Sequence, residues 1–183
     1  MFLLNNDTQL HGFLEKWIFV EPIKDHDYWK QHFLDQKIND LEKYVKGTDG
    51  VSQNTTTSYS MIKNQNVNYD NFWKQKIKPR CEKLIKELHY KFDISKYIFW
   101  HQNYNNLGHH VPHHHGDATI SGIYILELEK ENTTVFYSRQ ENRKHSIVLD
   151  NVKEGDLILF DSTAWHSVDP CDGKKISVCF NVS

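Results

Sequence analysis

Histidine is the residue type whose number and spacing stand out in this chain. The chain has 12 histidines among 183 residues, and six of them fall within fifteen consecutive positions: His101, His109, His110, His113, His114 and His115. The last of them lead into an apolar, strand-like run, Ile120 to Leu126. In an extended chain alternate side chains share a face, so His113, His115 and Asp117 would project together while His114 points away. Imidazole and carboxylate groups both coordinate divalent transition metals, and this segment therefore predicts part of a metal site.

A rigidly held metal ion needs a further ligand from another part of the fold. Glu154 and Gly155 form a predicted turn that leads into an alternating apolar run, Asp156 to Phe160, and His166 follows shortly after this run. About fifty residues separate His166 from the histidine cluster. A single loop histidine is usually a surface residue, but in combination with the cluster His166 becomes the predicted third ligand.

The last strand-like run of the chain, Lys175 to Val182, predicts a site for an anion. Its alternation places Lys175, Ser177, Cys179 and Asn181 on one face and apolar side chains on the other. A lysine and a hydroxyl group together can hold a carboxylate. The competing interpretation is a cation on a solvated strand edge, because lysine side chains are mostly exposed.

The elements that must position these residues follow the order helices first, strands second. Apolar residues at steps of three and four predict helices over about 28–46 and 70–90, with Pro79 kinking the second or starting its second half, and the polar stretch 47–68 reads as a loop. After residue 95, short aromatic and β-branched runs predict six strands. We therefore expect one α+β domain over 1–183, with a mainly helical support region at 1–95 and a β core at 96–183. The strand runs are 97–104, 119–128, 133–137, 146–149, 156–160 and 175–182.

Composition excludes several classes of function. The formal net charge is −2, which argues against duplex nucleic acid as the main partner. The apolar runs are far shorter than the roughly 20 residues of a membrane span. The first four residues are apolar but are followed at once by polar ones, so no leader is predicted and we expect a cytosolic protein. Cys81, Cys171 and Cys179 form no CxxC pair, so neither a disulfide framework nor a thiolate zinc site is expected.

In their order along the chain, the motifs of the C-terminal half resemble a known arrangement. This half is similar to the double-stranded β-helix (jelly roll) of the Fe(II)- and 2-oxoglutarate-dependent oxygenases, and most of all to their small members in marine bacteria and phages. The resemblance spans about ninety residues, half of the chain. The segments that carry it are Trp100-x-Gln102-x-Tyr104, Gly108 with Pro112-His113-x-His115, Ser121 to Tyr124, Val135 to Tyr137, Glu154 to Phe160 with His166, and Lys175-x-Ser177 with Phe180-Asn181.

The resemblance implies a dioxygenase that uses Fe(II), 2-oxoglutarate and O2, releases succinate and CO2, and hydroxylates a small molecule or a protein side chain, in the host cytoplasm if the gene is a phage gene. It implies iron ligands at His113, His115 and His166, with Asp117 as the competing ligand if the pair is His115-x-Asp117. The family typically binds the distal carboxylate of 2-oxoglutarate with arginine. Here Lys175 takes that place. Because lysine offers a point charge rather than a planar fork, the resemblance implies that Ser177 and Tyr104 also help to bind 2-oxoglutarate.

Two other functions fit parts of the pattern. Gly108 followed by His113-x-His115 and a remote histidine also resembles the metal site of cupin enzymes, which have three histidines and no need of 2-oxoglutarate. Against this alternative, the cupin pattern adds a glutamate a few residues later, where this chain has Thr119 and Ile120. A non-catalytic β-barrel module that binds carbohydrate or metal would leave Lys175 and Ser177 without a role.

Overall fold

Antiparallel β-strands make up most of the computed structural model. It describes residues 9–13, 16–38, 45–46, 52–59, 67–89, 92–131, 133–140, 143–149, 151–170 and 172–183. In chain order the strands are β1 Gln9–Phe13, β2 Lys16–Pro22, β3 Val45–Lys46, β4 Ser52–Thr57, β5 Tyr97–His113, β6 Ile120–Leu128, β7 Thr134–Gln140, β8 Arg143–Val148, β9 Asp156–Asp161, β10 Trp165–Val168 and β11 Lys175–Val182.

The strands form one sheet in which neighbours are often far apart in the chain. Its order is β1-β2-β9-β6-β11-β5-β10-β7-β8, with β4 added to β5 and β3 added to β4. Among the described strands the two ends of this path, β1 and β8, do not pair with each other. The sheet described here is therefore rolled and open rather than a closed barrel.

The helices lie on one side of the sheet. Helix α1 spans His26–Asp35, and a second helical segment consists of α2 Asp70–Phe72, a π-helical stretch Trp73–Ile77 and α3 Lys78–Glu87. Pro79 lies in the first turn of α3, directly after the π-helical stretch, and so lies at the start of the second half of this segment. The helix predicted over 70–90 is thus confirmed. Within the described residues no helix is both long and apolar enough to cross a membrane.

Alternation along the strands creates two hydrophobic clusters, one on each face of the sheet. From β11, Ile176, Val178 and Phe180 pack with the helices. Cys179 belongs to the other cluster, which contains no helical residue. Lys175 and Ser177 share the face of Cys179, as the alternation predicted. The helix-side cluster includes Trp29, Phe33, Phe72, Trp73, Ile77, Cys81 and Leu84 from the helical segments.

The N-terminal region contains strands that the sequence did not predict. Helix α1 ends at Asp35 rather than near residue 46, because Lys37 adopts a left-handed conformation with φ 58° that stops helical propagation. Of the residues that continue the predicted stripe, Ile38 is buried in the turn after α1, Val45 lies in β3, and residues 39–44 lie outside the described residues. Of the predicted loop 47–68, residues 52–57 form β4, while 47–51 and 60–66 lie outside the described residues. Threonine is β-branched and suits a strand, which accounts for β4.

Candidate metal centre and its cavity

Three histidines meet where β5 ends beside β10. His113 is the last residue of β5, and its Cα pairs with that of His166 in β10. His115 follows two residues later. One ring nitrogen from each of the three side chains lies within 4.8 Å of the other two. The ring centroids of His113 and His166 are 4.2 Å apart, and the ring centroid of His115 lies 5.1 Å from that of His113 and 5.2 Å from that of His166.

A short turn before β10 holds the third ligand segment in place. The backbone N–H of Ala164 donates to the carbonyl of Asp161 at 2.8 Å, and that of Thr163 donates to the Asp161 carboxylate at 2.9 Å. The backbone N–H of His115 donates to the Ser162 carbonyl at 2.8 Å. The turn that positions His166 therefore also anchors His115, although the two are distant in sequence.

Hydrogen bonds fix the tautomer of two of the three imidazoles. Nδ1 of His113 lies 2.9 Å from the carbonyl oxygen of Val111, and Nδ1 of His166 lies 3.0 Å from that of Ala164. A carbonyl oxygen only accepts, so each Nδ1 carries the proton. The lone pair of each imidazole is then on Nε2, where a metal ion can use it.

The protonation state of the site also suits a metal. Burial, together with the neighbouring imidazoles of His113 and His114, lowers the pKa of His115 to about 4. Burial, together with the charge of His113, brings the pKa of His166 well below its usual range. Both rings are therefore neutral at pH 7 and offer lone pairs without first having to lose a proton.

Asp117 lies apart from this group. It is exposed, in the turn formed by residues 116–117, because β5 ends at His113 and the alternation that would align Asp117 with the histidines stops there. His114 is exposed as well, and its ring packs against Trp165 with centroids 4.8 Å apart. The structure thus brings together His113, His115 and His166 and leaves Asp117 outside.

A cavity of about 270 Å³ extends from the three histidines into the rolled sheet. This is close to the lower end of the range of about 300–1,000 Å³ for small-molecule sites. Lys175, Ser177 and Tyr104 all line it, and among the residues that the structure describes no Asp or Glu does. Within the described part of the chain, the lining of the cavity thus combines a lysine ammonium group and imidazole nitrogens and includes no carboxylate.

Lys175 is buried at the base of β11 with only 1% of its surface exposed. Its Nζ donates to Thr134 Oγ1 at 3.0 Å and lies 5.4 Å from the centroid of the Tyr104 ring, which β5 places directly across from it. The Oγ of Ser177 is buried and has no hydrogen-bond partner among the described residues. A buried hydroxyl without a partner is costly, so this atom is available to a ligand.

Two further polar groups of the cavity, the Tyr104 phenol and the Cys179 thiol, are neutral at pH 7. The Tyr104 hydroxyl donates to Gln102 Oε1 at 2.6 Å, and burial raises the pKa of this phenol well above its usual value. Burial likewise raises the pKa of the Cys179 thiol to about 12. Gln102 and Tyr104 belong to the sequence motif Trp100-x-Gln102-x-Tyr104, whose alternate residues share one face of β5. Thr134, which accepts a hydrogen bond from Lys175, was not predicted from the sequence as a site residue.

Comparison with known proteins is consistent with this fold and site. Residues 98–181 match the family model described as "Putative 2OG-Fe(II) oxygenase". No curated protein sequence is significantly similar to the chain. The rolled sheet is, however, shared with solved structures.

The structural similarity covers most of the chain at low sequence identity. A prolyl-4-hydroxylase of Pseudomonas putida is 11% identical, with a TM-score of 0.67 over 90% of this chain and 91% of that one. A prolyl hydroxylase of Trichoplax adhaerens, solved with a peptide fragment of the hypoxia inducible factor, is 12% identical, with a TM-score of 0.65 over 90% and 82%. The α-ketoglutarate dependent epimerase SnoN of nogalamycin biosynthesis is 11% identical, with a TM-score of 0.60 over 89% and 76%.

The fold is therefore the double-stranded β-helix, carried here by an open sheet with helices on one face. The family match confirms the resemblance to the Fe(II)- and 2-oxoglutarate-dependent oxygenases and indicates an enzyme of that kind. That family implies Fe(II), 2-oxoglutarate and O2, and the group of three histidines is compatible with iron.

Proposed function

We propose that this chain is a hydroxylase that holds Fe(II) with His113, His115 and His166 and uses 2-oxoglutarate as cosubstrate. The observation that carries the proposal is the composition of the cavity. It combines neutral nitrogen ligands at one end with a buried lysine, and no acidic residue among those described lines it.

The residues present fit both groups. Three neutral imidazoles leave a bound Fe(II) with its full double charge, and Lys175 adds a further positive charge. An anion with two carboxylates, one near the metal and one near Lys175, balances these charges in a site where water cannot screen them well. 2-Oxoglutarate is such a dianion. Its 2-oxo acid end would bind to the metal held by His113, His115 and His166, and its distal carboxylate would bind to Lys175.

When bound, Fe(II) with 2-oxoglutarate and O2 would supply the oxidising chemistry, in which O2 provides one oxygen atom to succinate, formed with loss of CO2, and one to the hydroxylated substrate. The protein residues bind and orient. Lys175 would hold the distal carboxylate through a charge-assisted hydrogen bond, and the Ser177 hydroxyl would donate a second one. Tyr104 contributes its ring to the lysine, since its hydroxyl is already donated to Gln102.

The primary substrate would approach from the mouth of the cavity. Tyr59 lines the cavity, is 49% exposed, and packs edge-on against Trp100 with centroids 5.1 Å apart. A small molecule or a protein side chain is the proposed substrate. The Trichoplax enzyme, which has this fold, was solved with a peptide.

Anaerobic addition of Fe(II) and 2-oxoglutarate to the purified protein tests the proposal. We expect a visible charge-transfer band from the chelated 2-oxo acid, and slow release of succinate once air is admitted. His166→Ala should abolish both signals. His109→Ala is the matched control, because His109 lies outside the cavity and outside the group of three.

The alternatives give different results. A metal that binds without producing the band would contradict the use of 2-oxoglutarate and favour a three-histidine enzyme of the cupin type. A protein that binds neither metal nor cosubstrate would contradict the enzymatic proposal altogether.

A further inference from the structure

The three histidines of the candidate metal centre are not held in the same way. Those of β5 and β10 each direct Nδ1 to the backbone carbonyl two residues earlier. Nδ1 of His115 instead faces a side chain, the amide of Asn181 in β11, at a distance of 3.4 Å from its Nδ2. The orientation of His115 therefore depends on a residue that can be changed by substitution.

Asn181 is itself held by a second polar side chain. Ser121 lies opposite it in the β6–β11 pair, and the Ser121 Oγ donates to Asn181 Oδ1 at 2.7 Å. Ser121 is buried, with 1% of its surface exposed. The three side chains thus form a continuous chain of contacts from β6 through β11 to His115.

The direction of the hydrogen bonds that link Ser121, Asn181 and His115 decides whether His115 can bind a metal. If the amide nitrogen of Asn181 donates to Nδ1, the imidazole proton must lie on Nε2, and no lone pair points to the metal. Half a turn of the amide exchanges its nitrogen and oxygen. Oδ1 then accepts the Nδ1–H of His115, Nδ2 donates to the Ser121 hydroxyl, and Nε2 is free to coordinate. A serine hydroxyl both donates and accepts, so it satisfies either orientation.

We propose that Asn181 is the positioning residue of His115: in the metal-bound protein its Oδ1 accepts the Nδ1–H of His115 and so fixes the tautomer and ring orientation that coordination requires. This inference rests on the proposed function, because it takes His115 as a metal ligand. Partners of this kind fix the ring of metal-binding histidines, and their loss lowers metal affinity about 10–100-fold.

Substitutions at position 181 separate the hydrogen bond from the volume of the side chain. Asn181→Leu keeps the size and removes both polar atoms, so Co(II) affinity of the full chain, measured by absorption titration at pH 7.5, should fall about 10–100-fold. Asn181→Asp keeps a hydrogen-bond acceptor in a side chain of the same shape, so its Co(II) affinity should stay close to that of the wild type. Asn181→Ala, which cannot crowd the site, is the second variant and should also lose affinity. Asn151→Leu, in an exposed turn, is the matched control.

A second measurement reports the tautomer directly. In the Zn(II)-loaded protein, long-range proton–nitrogen NMR correlations should show a proton on Nδ1 of His115 in the wild type and in Asn181→Asp. In Asn181→Leu this proton should exchange rapidly, because it has lost its acceptor. Circular dichroism confirms that each variant is folded before its metal affinity is compared.

The failure of this inference is distinguishable from failure of the proposed function. If His115→Ala binds Co(II) as tightly as the wild type, His115 is not a ligand and the proposed metal centre is wrong. If His115→Ala weakens binding but Asn181→Leu and Asn181→Ala do not, the metal centre stands and Asn181 has no positioning role. Equal losses in Asn181→Leu and Asn181→Asp would also overturn the inference, because an acceptor would then make no difference.

Discussion

Removal of the buried cation is the most direct perturbation of the proposed cosubstrate site. We expect Lys175→Met to keep most of the side-chain volume, to leave metal affinity unchanged, and to weaken the binding of 2-oxoglutarate strongly. Replacing a buried charge by an apolar group of similar size is often neutral or stabilising. The ligand-free variant should therefore unfold at a temperature no lower than that of the wild type.

The expected size of the effect follows from the burial of this side chain. Lys175 is only 1% exposed, so solvent does not screen its interaction as it would at a surface ion pair. Loss of one partner of a buried, hydrogen-bonded charge pair costs about 2–5 kcal/mol. This corresponds to a loss of about 30-fold to a few thousandfold in affinity for 2-oxoglutarate.

Anaerobic titration of the Fe(II)-loaded protein, followed by the charge-transfer band, measures this affinity. 2-Oxopentanoate keeps the 2-oxo acid and the chain length but lacks the distal carboxylate, so Lys175→Met should bind it about as well as the wild type does. Lys174→Met is the control, because its ammonium group pairs with Glu127 outside the cavity. Equal affinities of Lys175→Met and the wild type for 2-oxoglutarate would refute the assignment of Lys175.

Three further outcomes are expected. A methyl group at position 122 would overlap the ring of the fully buried Phe180, so Gly122→Ala should lower the free energy of unfolding by about 1–3 kcal/mol in urea denaturation, while Gly116→Ala should not. The pKa of His115 is about 4 in the fold and about 6.5 in the unfolded chain, so the unfolded state takes up a proton at a higher pH than the folded state does. In the metal-free protein His115 should therefore contribute a loss of about 2 kcal/mol of stability from pH 7 to pH 5, and His115→Gln should lose less than the wild type in urea denaturation at the two pH values. Asp117→Asn should leave Co(II) affinity in the absorption titration unchanged, and a large loss would restore Asp117 as a ligand.

The strands of the β core were the most predictable part of the fold. β11 was predicted as 175–182 and is observed over the same residues, and β6 and β9 differ from their predictions by one residue at one end. In β11 polar and apolar side chains alternate, whereas β6 and β9 are short apolar runs that follow turn residues, and both are patterns typical of strands. β10 has only four residues and was not predicted, although it carries His166.

The N-terminal region was less predictable for a physical reason. The run Trp17 to Val20 in β2 is buried on both faces between β1 and β9 and shows no alternation. A short apolar run of this kind does not distinguish a strand from another buried segment. Helix α1 ends where Lys37 adopts a left-handed conformation, which is unusual for lysine and is not encoded in the apolar stripe.

For the candidate site, the sequence predicted which residues meet but left the ligand register open. His113-x-His115 and His115-x-Asp117 are equivalent on an ideal strand. The structure separates them only because β5 ends at His113 and a turn carries Asp117 into solvent. The contact between Lys175 and Thr134 depends on β7 lying beside β10, a neighbour relation that the local sequence does not contain.

The resemblance implies two departures from the typical oxygenase pattern, which has a His-x-Asp pair of ligands and an arginine, and in the proposed site these departures would have opposite effects on cosubstrate binding. A third imidazole in place of a carboxylate leaves the metal with one more unit of positive charge, which strengthens its attraction for the 2-oxo acid. Lysine in place of arginine removes a bidentate contact at the other end of the cavity, which weakens the grip on the distal carboxylate. In the proposed site the dianion would therefore be held more by charge and less by directional hydrogen bonds, and the unpartnered Ser177 hydroxyl would supply part of the missing direction. An enzyme built this way should tolerate other dicarboxylic 2-oxo acids of different length better than one with arginine, because a single ammonium group constrains carboxylate orientation less than a planar fork does.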